Sequence, residues 1–263
     1  MNLLSSFVES FFFQCDNRSY WIPQHFGLKG EYFFAESPEK KKRISAGLIC
    51  HPDVEPIATV LYFYAGLRNW QFNLPQILYL LLSGYQVAVF DYAGAGASEG
   101  ALKLDGIGED AQIVLDYLKT HQKYQEGKIL IFAQGVGCDA ALRLCHANAS
   151  DVAAIVMEAP YHSRKGWLLD HWGPIVGDLA SWALKTNTLE PKDIVPELSV
   201  PSLVFFPERN SYLPEKQKKA FTELLNNPAT AITVPKKDYL AVFTGDRNKE
   251  QDRALNFFEK HRA

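Results

Sequence analysis

The chain has 263 residues and a formal net charge of −3; 47% of its residues are hydrophobic and 22% are charged. This composition is that of a globular protein and excludes intrinsic disorder, a collagen-like chain and a coiled coil as descriptions of the whole sequence. The charge balance gives no electrostatic attraction to nucleic acid, and the one dense basic run, at 40–43, is typical of a solvated loop, so we expect no nucleic-acid partner.

The first 13 residues have the pattern of a short amphipathic helix. Serine and glutamate alternate with apolar residues at helical spacing. The apolar positions are Leu3, Leu4, Phe7, Val8, Phe11 and Phe12. The segment is too short to span a bilayer and lacks the basic flank of a signal peptide. We expect residues 1–13 to pack against the body of the protein, and contact with a membrane surface is the secondary alternative.

Short apolar segments then alternate with longer segments of helical periodicity, which predicts a mostly parallel sheet with crossover helices. The predicted strands are an antiparallel edge pair at 31–35 and 43–49, followed by 58–64, 86–91, 128–133, 152–158, 202–206 and 231–234. The predicted helices are 71–82, 109–121, 136–147, 214–225 and 248–260. No repeat, low-complexity block or linker interrupts the sequence, so residues 1–263 are treated as one domain.

A tryptophan-rich segment at about 165–186 breaks this alternation. We expect it to form a small helical cap over the carboxyl ends of the strands, where open α/β sheets bind their ligands. A pocket beneath such a cap suits a small apolar or acyl ligand, although packing of the cap alone would explain the same residues. The candidate pocket residues are Tyr64, Leu67, Tyr161, Trp167 and Trp172.

The cysteines and histidines suggest no metal or disulfide chemistry. The chain is too long to need a disulfide framework, and its four cysteines include no C-x-x-C pair. Its histidines lack the spacing of metal ligands. We therefore expect reduced thiols, no metal, no cofactor and a cytoplasmic location.

Three stretches of the sequence resemble the strand ends of the α/β-hydrolase superfamily. They are GYQVAVFDYAGAGASEG at 84–100, EAPYHS at 158–163 and the strand and loop at 200–214. The resemblance extends from about Gln14 to the C-terminus and is closest to compact bacterial acyl hydrolases of the serine aminopeptidase-like branch. It implies an α/β-hydrolase fold, with a mostly parallel twisted sheet of about eight strands, helices on both faces and a small cap.

The resemblance also implies a serine, an acid and a histidine, in this order along the chain, and all three positions are substituted here. The serine-bearing turn G-x-S-x-G reads AQGVG at 133–137, which puts Gly135 at the nucleophile position. Glycine adopts the strained backbone of such a turn easily but has no atom that can attack an acyl carbon. Asn210 stands at the acid position and cannot carry the charge that stabilises an imidazolium.

The histidine position is one of the three residues Lys236, Lys237 and Asp238, and we take Asp238 to represent it. The oxyanion-binding strand end of the family matches Tyr64-Ala65, so that the backbone N–H groups of Ala65 and Val136 could still bind an anionic oxygen. With Gly135, Asn210 and Asp238 at these three positions, the chain lacks the nucleophile, the acid and the base that the resemblance implies.

Three residues are candidates for substitute catalytic groups, because they follow a strand on the expected edge of the sheet. They are Glu158, His162 and Ser163. His162 and Ser163 have the residue types of a base and a nucleophile. Adjacent residues seldom point at each other, and active relatives carry a similar turn beside a complete triad. A turn-forming role is therefore the expectation for all three.

The sequence thus predicts a non-catalytic α/β-hydrolase-fold protein, a pseudoenzyme, that binds a small apolar ligand or a protein partner. One alternative is an active serine-type hydrolase, an esterase, thioesterase or peptidase, that uses an unrecognised set of residues. Another is a scaffold at a membrane surface. Fold alone does not decide among them.

Overall fold

The computed structural model describes residues 3–121, 127–184, 186–227 and 230–262. The strands are β1 (Gln14–Cys15), β2 (Lys29–Ser37), β3 (Lys42–Cys50), β4 (Thr59–Phe63), β5 (Leu67–Arg68), β6 (Gln86–Phe90), β7 (Ile129–Gln134), β8 (Val152–Glu158), β9 (Ser202–Arg209) and β10 (Ala231–Asp238). The helices are α1 (Leu3–Phe12), α2 (Leu78–Leu81), α3 (Ile107–Thr120), α4 (Gly137–Ala147), α5 (Arg164–Leu184), α6 (Pro191–Ile194), α7 (Glu215–Leu224) and α8 (Lys249–His261).

The main sheet has eight strands in the order β10-β9-β8-β7-β4-β6-β3-β2. Strand β3 pairs antiparallel with β2 and with β6, and the remaining ladders are parallel. Every residue of β6, β7 and β8 is buried, which requires that helices and loops cover both faces of the sheet. The predicted fold class, a mostly parallel sheet of about eight strands covered on both faces, is confirmed.

The helix predicted at 71–82 is the largest error of the sequence-based assignment. Only Leu78–Leu81 is α-helical, preceded by a 3₁₀ turn at Leu74–Gln76. Pro75 lacks the N–H that a helix interior needs, and the side-chain amide of Asn73 donates to two backbone carbonyls at 2.7 and 2.8 Å. These groups favour a compact loop over a continuous helix.

Helix α1 packs on the cap helix α5 through aromatic side chains. Phe12 lies 4.7 Å from Trp167, and Phe11 lies 4.4 Å from Trp172, as measured between ring centroids. Strand β1 follows directly and pairs in parallel with β5, close to the end of β4. The amphipathic pattern of the first 13 residues therefore corresponds to a helix that covers the carboxyl edge of the sheet.

The cap helix α5 is attached to α4 by a buried ion pair. Arg164 Nε donates to Oδ2 of Asp139 at 2.7 Å, and a second guanidinium nitrogen donates to Oδ1 at 2.8 Å. Both side chains are almost completely buried. Beyond this anchor the helix bends at Gly173, where φ is 74°, immediately before Pro174.

None of the helices in the described ranges combines the length and the apolar character that a membrane crossing requires. Within the same ranges, no group of His, Cys, Asp and Glu side chains is arranged to hold a metal ion.

The cap anchor gives a stability prediction. We expect Arg164→Met to lower the free energy of unfolding by about 2–4 kcal/mol, because the buried carboxylate of Asp139 would lose both guanidinium hydrogen bonds. It would keep Arg143 and the Tyr161 hydroxyl as partners. The matched control is Lys165→Met, since Lys165 and its partner Asp178 are both more than half exposed; this change should cost less than about 1 kcal/mol. Equal losses in urea unfolding would contradict the assignment of Arg164 as the anchor.

Candidate functional site

The turn between β7 and α4 is sharp, and two glycines allow it. Gly135 has a φ of +52°, a conformation that favours glycine, and its N–H donates to the carbonyl of Glu158 at 2.9 Å. Gly137 is needed for a different reason: a Cβ there would lie 2.6 Å from the backbone oxygen of Tyr64. The chain at 133–137 thus has the strand-turn-helix geometry of a nucleophile elbow, with glycine at its tip.

A tyrosine that the sequence analysis did not identify occupies the space beside Gly135. A Cβ on Gly135 would collide with the hydroxyl of Tyr239 and would lie 2.9 Å from Cβ of Ala65. Tyr239 is one residue beyond the window at 236–238 in which the histidine position was expected, and Asp238 is exposed.

The local backbone explains this displacement. The β9–β10 register shifts between Val234 and Asp238, and Lys236 has a φ of +61°. Such an irregularity changes which side chain of β10 and the following loop reaches the sheet edge. In the structure, Asp238 lies on the surface and Tyr239 faces the elbow.

A cavity of about 110 Å³, here called the elbow cavity, lies beside Gly135. It is lined by Phe11, Phe12, Gln14, Ala65, Leu67, Gly135, Val136, Ala159, Tyr161, Trp167, Tyr212, Leu213 and Tyr239. Three of the five candidate pocket residues are in this set, and α1 contributes two phenylalanines that the sequence analysis had assigned only to packing.

The other two candidate pocket residues lie elsewhere. Tyr64 is fully buried in the core, where its ring stacks on Tyr92 at 4.4 Å and its carbonyl accepts a hydrogen bond from the Tyr92 hydroxyl at 2.6 Å. Trp172 packs against the ring of Phe11 and is not itself part of the cavity lining. Tyr64 is a candidate from its position at a strand end and Trp172 from its position in the cap segment, and neither position specifies the direction of a side chain.

Asn210, at the expected acid position, shapes the loop that follows β9. Its side-chain oxygen accepts hydrogen bonds from the backbone N–H groups of Tyr212 and Leu213, both at 3.0 Å. This turn brings the ring of Tyr212 to 5.0 Å from the ring of Tyr239. The amide oxygen is thus occupied by backbone donors rather than directed at a base.

Glu158 is fully buried beneath the elbow and is hydrogen-bonded through both carboxyl oxygens. Oε2 accepts from the side-chain amide of Gln134 at 2.6 Å, and Oε1 accepts from the N–H of Val242 at 3.2 Å. Burial raises the pKa of Glu158 to about 7, and the bond from Gln134 opposes this rise. Its carboxyl group connects the sheet to the loop after β10.

Gln134 extends this connection into a buried polar network. It accepts a hydrogen bond from the hydroxyl of Tyr62 at 2.5 Å and donates to the side-chain oxygen of Gln76 at 3.0 Å. Gln76 in turn donates to the carbonyl of Leu240 at 2.8 Å. The network therefore holds the segment after β10 at two points, the carbonyl of Leu240 and the N–H of Val242. Tyr239 immediately precedes the first of these points.

His162 and Ser163 do contact each other, contrary to the expectation for adjacent residues. His162 Nδ1 lies 3.3 Å from Ser163 Oγ, and partial burial lowers the pKa of the imidazole. Ser163 Oγ also accepts a hydrogen bond from the N–H of Gly166 at 3.0 Å, in the first turn of α5. Neither residue lines the elbow cavity. Their geometry is that of a helix start beside the cap.

The two proposed oxyanion-binding residues both line the elbow cavity. Val136 immediately precedes α4, and its backbone N–H has no hydrogen-bond acceptor among the residues that the structure describes. The partial positive charge at the start of a helix adds to the attraction of such a group for an oxygen atom. A polar ligand atom next to Gly135 would therefore have at least one free backbone donor.

Comparison with known proteins places these features in a family. A sequence profile described as "Serine aminopeptidase, S33" matches residues 73–235, more than half of the chain. The uncharacterized protein YfhR of Salmonella typhi is 21% identical over 217 residues, which cover 77% of this chain and 72% of that protein. Protein bem46 of Schizosaccharomyces pombe is 28% identical over 145 residues, or 54% of this chain and 48% of that protein.

Solved structures show the same fold. The esterase Pf2001 of Pyrococcus furiosus superposes with a TM-score of 0.75 at 14% identity, covering 95% of this chain and 100% of the other. Est1E of Butyrivibrio proteoclasticus, bound to ferulic acid, gives a TM-score of 0.66 at 13% identity, with coverages of 87% and 98%. The sheet order, the elbow and the matched residues agree: this chain belongs to the serine aminopeptidase S33 family of α/β-hydrolases.

Proposed function

We propose that this protein is a non-catalytic member of its family that binds a small apolar or acyl ligand in the elbow cavity. The observation that carries the proposal is the elbow itself. Gly135 supplies no nucleophile, and the hydroxyl of Tyr239 fills the space that a side chain at this position would need. Acyl transfer through a covalent intermediate requires an activated hydroxyl or thiol beside a base.

The lining of the cavity supports the same proposal. Within the described part of the chain, the residues around the cavity include no serine, threonine, cysteine or histidine. The rings of Phe12, Tyr161 and Trp167 form an apolar wall. A cavity of about 150 Å³ is known to hold benzene, so 110 Å³ suits a ligand portion of about six heavy atoms or fewer.

A second candidate function, attachment to a membrane surface or to a protein partner, is favoured by one observation. Phe7 of α1 and Ile175 and Trp182 of α5 are 58%, 85% and 63% exposed, although all three are large and apolar. Such residues mark interaction surfaces when they are contiguous. Flotation of the protein with liposomes, compared with that of a Phe7→Asp/Ile175→Asp variant, tests it: flotation of the wild type alone would support a membrane role.

An activity-based probe distinguishes the proposed binding protein from an active hydrolase. We expect a fluorophosphonate to leave the purified protein unlabelled, under conditions that label an active esterase completely, because no activated serine faces the cavity. Labelling that disappears in a Ser163→Ala variant would overturn the proposal and would identify the His162–Ser163 pair as the reactive group.

Restoration of the missing groups tests the role of the elbow. We expect Gly135→Ser alone to lower the free energy of unfolding by about 1–3 kcal/mol, because the backbone φ at this position is positive and the new side chain collides with Tyr239. Adding Tyr239→His should recover part of this loss, and Tyr239→His alone is the control. Thermal unfolding of the three variants measures the effect.

The same series has an expected result for activity. The triple variant Gly135→Ser/Tyr239→His/Asn210→Asp should hydrolyse p-nitrophenyl acetate above the buffer rate, whereas Gly135→Ser alone should not, because it lacks a base and an acid. Hydrolysis by the single variant at the rate of the triple variant would show that a base is already present.

The non-catalytic proposal gives Glu158 a structural role, which pH should reveal. Its pKa is about 7 in the folded protein against an ordinary value of 4.5, so the folded state binds the proton more tightly. The contribution of Glu158 to stability is therefore complete below about pH 4.5 and is lost as the pH rises to about 7, by of order 3 kcal/mol.

The stability of Glu158→Gln relative to that of the wild type should consequently be higher at pH 8 than at pH 5. Urea unfolding of both proteins at these two pH values measures the difference. A remaining pH dependence is expected in the variant because burial also raises the pKa of Asp91 to about 7. A difference between variant and wild type that is the same at both pH values would contradict the assignment.

A further inference from the structure

The hydroxyl of Tyr239 is an unused hydrogen-bond donor in the elbow cavity. Its ring contacts Tyr212, but within the described ranges the phenol oxygen has no hydrogen-bond partner. Tyr161, the buried tyrosine of the cavity, differs from the half-buried Tyr239 because its hydroxyl donates to Asp139 at 2.5 Å. Burial raises the pKa of the Tyr239 phenol, so this group is neutral and retains its proton.

The position of this hydroxyl is specific. It lies where a Cβ of Gly135 would be, at the tip of the turn, and the free N–H of Val136 belongs to the next residue. The Tyr239 hydroxyl and the Val136 N–H are therefore two donors beside the tip of the same turn, in a cavity whose lining is mainly apolar, with Gln14 as a further polar side chain. An acceptor atom of a ligand is the group that would satisfy both.

The charge of the cavity restricts the chemistry of that ligand. No lysine, arginine, histidine, aspartate or glutamate lines the cavity in the part of the chain that the structure covers. A carboxylate would therefore lose its water without meeting a cation, at a cost of several kcal/mol, whereas a neutral carbonyl oxygen loses far less. The cavity volume limits the ligand portion to about six heavy atoms.

We propose that Tyr239 recognises the ligand of the elbow cavity by donating a hydrogen bond to the carbonyl oxygen of a small, neutral, short-chain compound. The shared chemistry is a neutral carbonyl on a short apolar chain, as in a ketone, ester, thioester or amide. This inference rests on the proposed binding function and adds to it the recognised group and the residue that recognises it.

Three probes of equal size test the inference. They are 2-pentanone, which has a neutral carbonyl, 2-methyl-1-pentene, in which a CH₂ group replaces the carbonyl oxygen, and butyrate, which is charged. Binding is measured by saturation-transfer NMR and by the tryptophan fluorescence of the full chain, since Trp167 lines the cavity. None of the probes can be hydrolysed, so the result does not depend on catalysis.

We expect the wild type to bind 2-pentanone about 3- to 10-fold more tightly than the alkene, which corresponds to one hydrogen bond. Tyr239→Phe, which removes only the hydroxyl, should abolish this difference and leave alkene binding unchanged. Tyr32→Phe, on the half-exposed Tyr32 of β2, is the matched control and should behave as the wild type. Butyrate should bind more weakly than 2-pentanone.

The outcomes separate the two proposals. Equal affinity of the wild type for ketone and alkene, or tighter binding of butyrate, would overturn the role of Tyr239 but leave a binding cavity. Absence of binding by all three probes would overturn the proposed function as well. If Tyr239→Phe does not fold, the ligand series on the wild type alone still decides between these results.

Discussion

The carboxylic group of Glu158 is the connection on which the geometry of the site depends. It is fully buried and accepts hydrogen bonds from Gln134 at the end of β7 and from Val242 in the loop after β10. Through Gln134 and Gln76 the same network reaches the carbonyl of Leu240. A buried polar network of this kind is specific because each unsatisfied member would be costly, so it fixes the short segment that carries Tyr239.

The cap and α1 complete the cavity that this network positions. Arg164 attaches α5 to α4 through a bidentate pair with Asp139, and Phe12 of α1 packs on Trp167 of α5. The elbow, the loop after β10, and the pair of α1 with α5 are three separately anchored parts of the cavity lining, to which the strand ends and the loop after β9 add further residues. Its apolar walls come from distant parts of the sequence.

The sequence was sufficient for the sheet, because buried parallel strands and crossover helices have distinct periodicities. It was also sufficient to find the elbow, since the spacing of Gly135 and Gly137 is local. It was not sufficient to find Tyr239, because a backbone irregularity at Lys236 changes which side chain reaches the elbow. Nor could it show that Phe12 contributes to the cavity, since this depends on a contact between segments more than 150 residues apart.

Gly135 and Tyr239 share one volume, and this coupling constrains how such a protein can diverge. A serine introduced at the turn meets a phenol already in place, so the substitution costs less stability after the tyrosine has been replaced. The two positions are therefore epistatic in the strict sense that the effect of one depends on the identity of the other. A lineage with this pair would regain a nucleophile only by passing through an ordered sequence of changes, and random single replacements would tend to preserve its absence.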